Sequence, residues 1–399
     1  MPGLRSVGDR CTTRYSDEVS SAFRTVTVRT PHVSYDVEIG TGLLASVGAR
    51  VDALLQGGLR AGKQRAFVVS SPEILSLWGN ELAGGFATPP VTLTVLSGES
   101  QKRMATVERL LEELAENGAD RDSVLIAFGG GVLGDMTGFL AAVYMRGIRY
   151  VQVPTTLLAQ VDSSIGGKTG VNLAAGKNLA GAFHHPLAVY ADVSTLCTLG
   201  PDELRAGLQE SIKAGIIRDA KLFALLERER ERVLASEVGL LGDVVAASVK
   251  VKADVVSADE RESGLRMILN FGHTLGHAIE AATAYKQLLH GEAVAWGMLA
   301  AIRIAEVRSL ITTRDADRMQ NLIRAYGRMK PFRADAEQLV ALTAKDKKNR
   351  SGARSFILPT GIGSVTIVRD VSERELLGAA SEVVSEARSI QPHLSGALP

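Results

Sequence analysis

The sequence predicts an α/β N-terminal domain with a mostly parallel sheet, followed by a mostly α-helical C-terminal domain. Three observations carry that prediction. Short β-branched runs alternate with helical patterns over the first half, the sign of strands joined by crossover helices. After "LGPDEL" the alternation stops, and residues 202–347 are long Ala-, Leu-, Glu- and Arg-rich helical stretches with almost no strand signal. The 399 residues, 46% hydrophobic and 22% charged, supply ample core for two domains without a metal or disulfide to hold them.

The opening "MPGLRSVGDRCTTRYSDEVSS" lacks the apolar centre of a signal peptide, so residues 1–24 read as a loose extension. The strand runs that follow are "TVTV", "AFVVS" (66–70), "VTLTVL" (91–96), "VLIAF" (124–128), "YVQV" (150–153) and "AVYA" (188–191). Between the third and fourth, Val107, Leu110, Leu111 and Leu114 recur at helical spacing, which gives an amphipathic crossover helix. The boundary falls near Gly200, with one domain over 25–200 and the other over 201–399. A last β pair, "SFILP" and "SVTIV", closes the pattern.

Charge and cysteine usage exclude several functions. Lysine plus arginine number 45 against 44 acidic residues, so no global field draws nucleic acid or an anionic membrane, and neither is an expected partner. No apolar run approaches the roughly 20 residues of a membrane span. Cys11 and Cys197 lack CxxC spacing, which argues against a disulfide scaffold or a four-cysteine zinc site and fits a cytoplasmic protein.

"VLIAFGGGVLGD" runs a strand into Gly129, Gly130, Gly131 and Gly134 and then into a helix. Such a turn lets backbone approach a pyrophosphate at a helix N-terminus, or it is simply a tight strand-to-helix connection. The acid that would bind a ribose about 20 residues on is absent, since "VQVPTTLL" stands there. Ribose and adenine contacts must come from elsewhere, with Glu99 and Lys102 of "SGESQK" and Thr155 and Thr156 as candidates.

Residues 157–178, "LLAQVDSSIGGKTGVNLAAGKN", read as a long glycine-rich loop carrying Asp162, Lys168, Lys177 and Asn178, with Arg146 of "YMRG" able to join them. Ammonium groups beside flexible backbone N–H donors suit phosphate or carboxylate; the plain alternative is a solvated loop.

"AGLQESIKAG" puts Glu210 and Lys213 on one helical face. "NFGHTLGHAIE" puts His273 and His277 four apart, and "HGEAVAWGM" supplies His290. Glu210, one histidine of the pair and His290 make the two-His-one-Glu set of a catalytic divalent metal with open positions. Thr274 stands where a zinc protease has its general base, so peptide hydrolysis is a poor fit. Lys252, Arg266 and the run "KDKKNR" with Lys347 add cations, and helical continuation from Arg266 through Asn270 to His273 would put all three on one side. Together they predict a ligand with at least two negative groups.

These motifs, in this order over roughly residues 25–370, resemble the dehydroquinate synthases of the sugar phosphate cyclase superfamily: "GGGVLGDMTGFLAAVYMRG", "VPTTLLAQVDSSIGGKTGVN", "GKNLAGAFHHP", "ESIKAG", "NFGHTLGHAIE" and "HGEAVAWGM". The resemblance implies a nucleotide-binding first domain, an active site in the cleft between the domains, one NAD, one divalent metal (zinc or cobalt) and a homodimer. It assigns the metal to Glu210, His273 and His290, and turns His277 toward the substrate phosphate. Asp162, Lys168, Lys177, Asn178, Lys213, Lys252, Arg266 and Asn270 match positions near substrate or metal. Arg146, from the neighbouring subunit, and Lys347 or Lys348 complete the phosphate pocket. Glu99, Lys102, Gly130, Gly131, Asp135, Thr155, Thr156, Leu158, Lys168, Lys177 and Thr198 match cofactor contacts. The chain departs from the family where an acid usually binds the adenosine ribose, for "VVSSP" places Ser70 and Ser71 there.

The implied reaction turns the sugar-acid phosphate 3-deoxy-D-arabino-heptulosonate 7-phosphate into 3-dehydroquinate and phosphate, through transient oxidation by NAD, phosphate elimination, re-reduction and aldol closure. An amino-dehydroquinate synthase or another cyclase of secondary metabolism is the nearest alternative. A metal-dependent alcohol or polyol dehydrogenase that releases NADH, and a catalytically dead binding protein, are the others.

Overall fold

A computed structural model of the chain describes residues 23–56, 65–344 and 355–390. These separate into two compact units: the residues up to Gly200 together with Ser236–Glu260, and Pro201–Ala235 together with the residues from Arg261 onward.

The first unit is built on a seven-stranded sheet in the order β1-β2-β9-β6-β5-β3-β4. The strands are β1 (Arg24–Arg29), β2 (Ser34–Gly40), β3 (Ala66–Ser70), β4 (Val91–Thr94), β5 (Val124–Gly129), β6 (Arg149–Pro154) and β9 (Ala188–Asp192). Only β1 runs antiparallel to its neighbour, with Val26 opposite Val37; every other pairing is parallel. Helices α1 (Val47–Gln56), α2 (Pro72–Gly84), α3 (Met104–Glu116) and α4 (Gly131–Val143) belong to this unit. Alternate residues of one strand feed different cores: Phe67 and Val69 pack with Leu110, Leu114, Met136 and Leu140, while Val68 packs with Trp78, Leu82, Ile126 and Val151. A parallel sheet covered on both faces explains why its strands read as nearly continuous apolar runs.

Each strand run read from the sequence is found. Strand β2 was not anticipated, because Asp36 and Glu38 interrupt its pattern on the exposed side while Tyr35, Val37 and Ile39 are buried. The expected loop over 157–178 is instead a π-helical turn (Ala159–Ser163) followed by an antiparallel hairpin of β7 (Lys168–Leu173) and β8 (Gly176–Phe183). Its glycines serve close approach of two strands: a Cβ on Gly181 would lie 2.2 Å from the Thr169 carbonyl oxygen, and one on Gly170 would lie 2.7 Å from that of Ala180.

The second unit contains α5 (Pro201–Arg218), α6 (Ala220–Arg228), α7 (Arg230–Leu234), α9 (His273–Ala282), α10 (His290–Val307), α11 (Thr313–Tyr326), α12 (Ala336–Ala344) and α13 (Glu373–Ser389), with the pair β10 (Phe356–Gly361) and β11 (Ser364–Val368). Helix α8 (Val238–Ala258) lies inside the span 201–399 but packs with the first unit. Its Asp243 pairs with Arg24, and Ser257 Oγ accepts from the Arg29 N–H at 3.0 Å. Periodicity announces such a helix without saying which body its apolar face covers, and this explains the difference from a single helical domain over 201–399. Of the expected extension over 1–24, residues 1–22 lie outside the described residues, and Arg24 opens β1.

Helices α9 and α10 cross at glycines. A Cβ on Gly297 would lie 1.8 Å from the Gly272 carbonyl oxygen and 2.8 Å from Gly276 N. Gly297→Ala must therefore push the two helices apart, and we expect a loss of about 1–3 kcal/mol by chemical denaturation. An unchanged denaturation midpoint would contradict that packing.

Helix α13 opens with a reciprocal cap: Ser372 N–H donates to Glu375 Oε2 at 2.8 Å, and Ser372 Oγ accepts from Glu375 N. Arg308 donates to both Glu375 oxygens, at 2.6 and 2.9 Å. That guanidinium, with help from Ser372, holds the Glu375 carboxyl down to about 2 from its ordinary 4.5. A depressed carboxyl contributes stability that is present above its unfolded pKa and lost as pH falls through its folded one. Glu375→Gln should therefore cost about 1 kcal/mol at neutral pH. The deficit should shrink as pH falls from 4.5 toward 2; a deficit independent of pH would contradict it.

Among the described residues no helix is long and apolar enough to cross a membrane.

Candidate active site

In the first unit, β5 delivers the chain to Gly129, whose φ of +154° only glycine adopts freely, and Gly130 then precedes α4. A Cβ on Gly130 would meet Thr156 Cγ2 at 3.2 Å, and one on Gly131 would meet Ser163 Oγ at 2.8 Å. The helix N-terminus is thus backed by small residues, with Thr155 N–H tied to the Gly129 carbonyl at 3.0 Å. That is a partly buried glycine turn at a helix N-terminus, which suits a pyrophosphate. Leu158 immediately precedes the π-helical turn. Thr198 lies at the end of a 3-10 turn, where its hydroxyl accepts from Trp78 Nε1 at 3.1 Å and donates to the Thr195 carbonyl.

Beside the cradle, the Lys102 ammonium is almost fully buried and donates to Asp135 Oδ2 and Asn178 Oδ1, both at 2.6 Å. Burial pushes the Asp135 carboxyl upward, and the Lys102 charge opposes that shift. Glu99 accepts from Asn172 Nδ2 at 2.7 Å, and Asn172 Oδ1 accepts from the Asn178 N–H at 2.9 Å. Asn178 sits at φ +52°, a left-handed position that asparagine tolerates. Five residues so locked join the "SGESQK" turn to the hairpin; Asn172, unremarkable inside "GVN", was not singled out by sequence reading. Lys252 donates to Asp162 at both its carbonyl oxygen (2.7 Å) and Oδ1 (2.6 Å). Lys168 opens β7, exposed, and Lys177 lies on β8. Arg146 is exposed at φ +69°, next to Met145 at φ +48°. The two serines standing in for a ribose-binding acid are both buried: Ser70 donates to the Phe128 carbonyl at 2.8 Å, and Ser71 caps α2. Their hydroxyls serve the fold.

In the second unit, α5 carries Glu210 and Lys213, both buried, with the ammonium against Glu210 Oε2. Neither oxygen of Glu210 accepts a hydrogen bond of ordinary geometry. Glu210 Oε1 lies 3.8 Å from His273 Nε2 and 3.8 Å from His290 Nε2. The Phe271 carbonyl lies 3.1 Å from His273 Nδ1, which places the proton on Nδ1 and the lone pair on Nε2. One carboxylate oxygen and two imidazole nitrogens within 4.8 Å of one another, with the Lys213 ammonium against the other oxygen, fit a divalent cation. His277 stands one turn on, its ring edge-on to His273 at 5.3 Å, and groups instead with Glu280 and His290.

Arg266 is 2% exposed and Asn270 donates to Glu262 Oε1 at 2.7 Å, both within a 3-10 turn over Leu265–Asn270. The expected helical continuation into His273 is broken at Phe271 and Gly272, where φ is +78° and a Cβ would lie 2.8 Å from the Val294 carbonyl oxygen. Only glycine permits α9 to approach α10 there, so Arg266 and Asn270 are placed by a turn rather than by a shared helical face. Glu262 and Glu280 were not assigned roles from sequence. Lys347 and Lys348 lie outside the described residues.

Residues 92–206 match the model of the 3-dehydroquinate synthase N-terminal domain, and residues 207–349 that of its C-terminal domain. The chain belongs to the 3-dehydroquinate synthase family. A family relative from Solibacter usitatus, named 3-dehydroquinate synthase, is 47% identical over 87% of this chain and 95% of its own length. Among solved structures, 2-epi-5-epi-valiolone synthase of Streptomyces hygroscopicus, with NAD+ and Zn2+ bound, is 31% identical with a TM-score of 0.80, over 92% of this chain and 99% of that one. A 2-deoxy-scyllo-inosose synthase complexed with carbaglucose-6-phosphate, NAD+ and Co2+ is 28% identical with a TM-score of 0.79, over 90% of this chain and 100% of that one. The two-domain fold of the family, an α/β domain with a mostly parallel sheet and a helical domain, is the one found here.

Proposed function

We propose that the chain is a carbon-oxygen lyase of the shikimate pathway. It converts 3-deoxy-D-arabino-heptulosonate 7-phosphate to 3-dehydroquinate and phosphate by transient oxidation, phosphate elimination, re-reduction and intramolecular aldol closure. The observation that carries this reading is the trio of buried Glu210 and half-buried His273 and His290, with Lys213 against its carboxylate, in a chain of this family. We further propose that it works in the cytoplasm as a homodimer, with exposed Arg146 offered to the neighbouring subunit.

Glu210, His273 and His290 would hold one zinc or cobalt ion. Gly130, Gly131, Thr155, Thr156, Leu158, Glu99, Lys102, Asp135, Lys168, Lys177 and Thr198 would hold NAD. Bound there, NAD supplies a reversible hydride acceptor and the metal a Lewis acid.

The protein's own share is orientation and charge. Lys102, by clamping Asp135 and Asn178 together, fixes the hairpin that presents Lys168, Lys177 and Asn178. Lys252 and Asp162 hold each other in one geometry, which keeps an ammonium group available to an anion without letting it swing into solvent. Arg266 offers a planar fork matched to the substrate carboxylate. His277, Arg146 and Lys347 serve the phosphate. Lys213 keeps a positive charge three residues from Glu210, where negative charge develops as a substrate alcohol is deprotonated.

The test is direct: metal-loaded protein and NAD are incubated with the heptulosonate phosphate, and products are identified by mass spectrometry. The carbocycle and free phosphate should appear in equal amounts, with no NADH accumulating. Turnover of sedoheptulose 7-phosphate or of the amino analogue in preference, or stoichiometric NADH with a polyol, would overturn the assignment.

A further inference from the structure

The metal trio leaves one buried carboxylate of its neighbourhood unassigned. Helix α9 places His273, His277 and Glu280 at i, i+4 and i+7, hence along one face. Glu280 is 4% exposed, and its Oε2 lies 3.4 Å from His290 Nδ1. The other nitrogen of the same ring, Nε2, faces Glu210 Oε1 at 3.8 Å. Resting on the metal reading above, we propose that Glu280 is a positioning residue that sets the tautomer and ring orientation of His290, so that Nε2 presents its lone pair to the cation held with Glu210 and His273.

The chemistry of imidazole supports the assignment. A neutral ring carries one proton, and a carboxylate at Nδ1 draws it there, leaving Nε2 as the ligand and making it more basic. His273 receives the same instruction from a backbone carbonyl, that of Phe271. His290 needs a stronger hold, because it is the first residue of α10 and its side chain is 32% exposed, against 12% for His273. The two histidines thus reach one cation by different means, one tied to its own backbone and the other to a carboxylate on the neighbouring helix.

His277, Glu280 and His290 also bring donor atoms within 4.8 Å of one another, a grouping that could be read as a second cation site. Two ions would demand both nitrogens of His290 at once, and so an imidazolate. An orienting role for Glu280 needs only the neutral ring and predicts a single ion.

Glu280→Ala and Glu280→Gln are compared with the parent chain for Zn2+ and Co2+ affinity by competition with a chromophoric chelator, for metal stoichiometry, and for NAD affinity. Glu280→Ala should weaken both metals roughly 10- to 100-fold. Glu280→Gln, whose amide oxygen can still accept from Nδ1–H, should lose less, and both variants should bind NAD like the parent. The Co2+ absorption spectrum should change in Glu280→Ala and return toward the parental one in Glu280→Gln. Metal affinities within twofold of the parent in both variants would overturn the proposal, as would NAD affinity falling in parallel with metal affinity, or two ions per parent chain. A parent chain that binds no Zn2+ stoichiometrically would sink the metal reading itself.

Discussion

Glu210→Gln should lose its divalent metal and its activity together. The substitution keeps the volume of the side chain but removes the only formal negative charge of the trio and replaces a strong oxygen ligand with a weak one. It also strips Lys213, which is 3% exposed, of the carboxylate its ammonium touches. Truncating one partner of a buried charge pair costs about 3–5 kcal/mol, much of it from the charge left behind. That cost falls on the stability of the fold; metal affinity, losing its charged ligand, should drop by more than the roughly 10- to 100-fold that loss of an outer partner costs. Metal content after gel filtration, measured alongside a chelator-competition affinity, checks it; a variant that retains one ion per chain at parental affinity would remove Glu210 from the site.

Arg266→Ala should lower kcat/KM by about 2–5 kcal/mol, roughly 30- to 5000-fold, because a buried guanidinium that pairs a substrate carboxylate is hard to replace with water. Arg266→Lys should recover little, since a point charge cannot reproduce the two parallel N–H donors. If the arginine binds ground and transition states alike, the loss falls in KM; if it holds the acid end so that the reacting carbons stay aligned, it falls in kcat. Steady-state kinetics with the parental rate and Michaelis constant would dismiss the carboxylate role altogether.

The residue types of the chemistry were legible in the sequence, because helical spacing fixes which side chains share a face. Glu210 with Lys213, and His273 with His277, needed only the 3.6-residue period. What the sequence could not decide was which histidine of the pair joins Glu210 and His290, since both lie on the same stripe of α9. In the structure His273 Nε2 lies 3.8 Å from Glu210 Oε1, whereas His277 groups with Glu280 and His290. The core strands were legible for a different reason: burial on both faces makes them continuous apolar runs. Strand β2 was hidden by Asp36 and Glu38, and the β7–β8 hairpin by the glycines that let its strands touch. Helix α8 was foreseen as a helix but not as part of the first unit, because its partners Arg24, Arg29 and Asp162 are far away in sequence. The break at Gly272 was missed for a related reason, for its cause is the backbone of α10 rather than anything adjacent in the chain.

The most direct measurement is an anomalous-difference map, collected at the zinc absorption edge from crystals of the parent chain grown with Zn2+. A single peak per chain, shared by Glu210 Oε1, His273 Nε2 and His290 Nε2, is the predicted result. Anomalous density that bypasses Glu210, or that sits between His277 and Glu280 instead, would contradict the account.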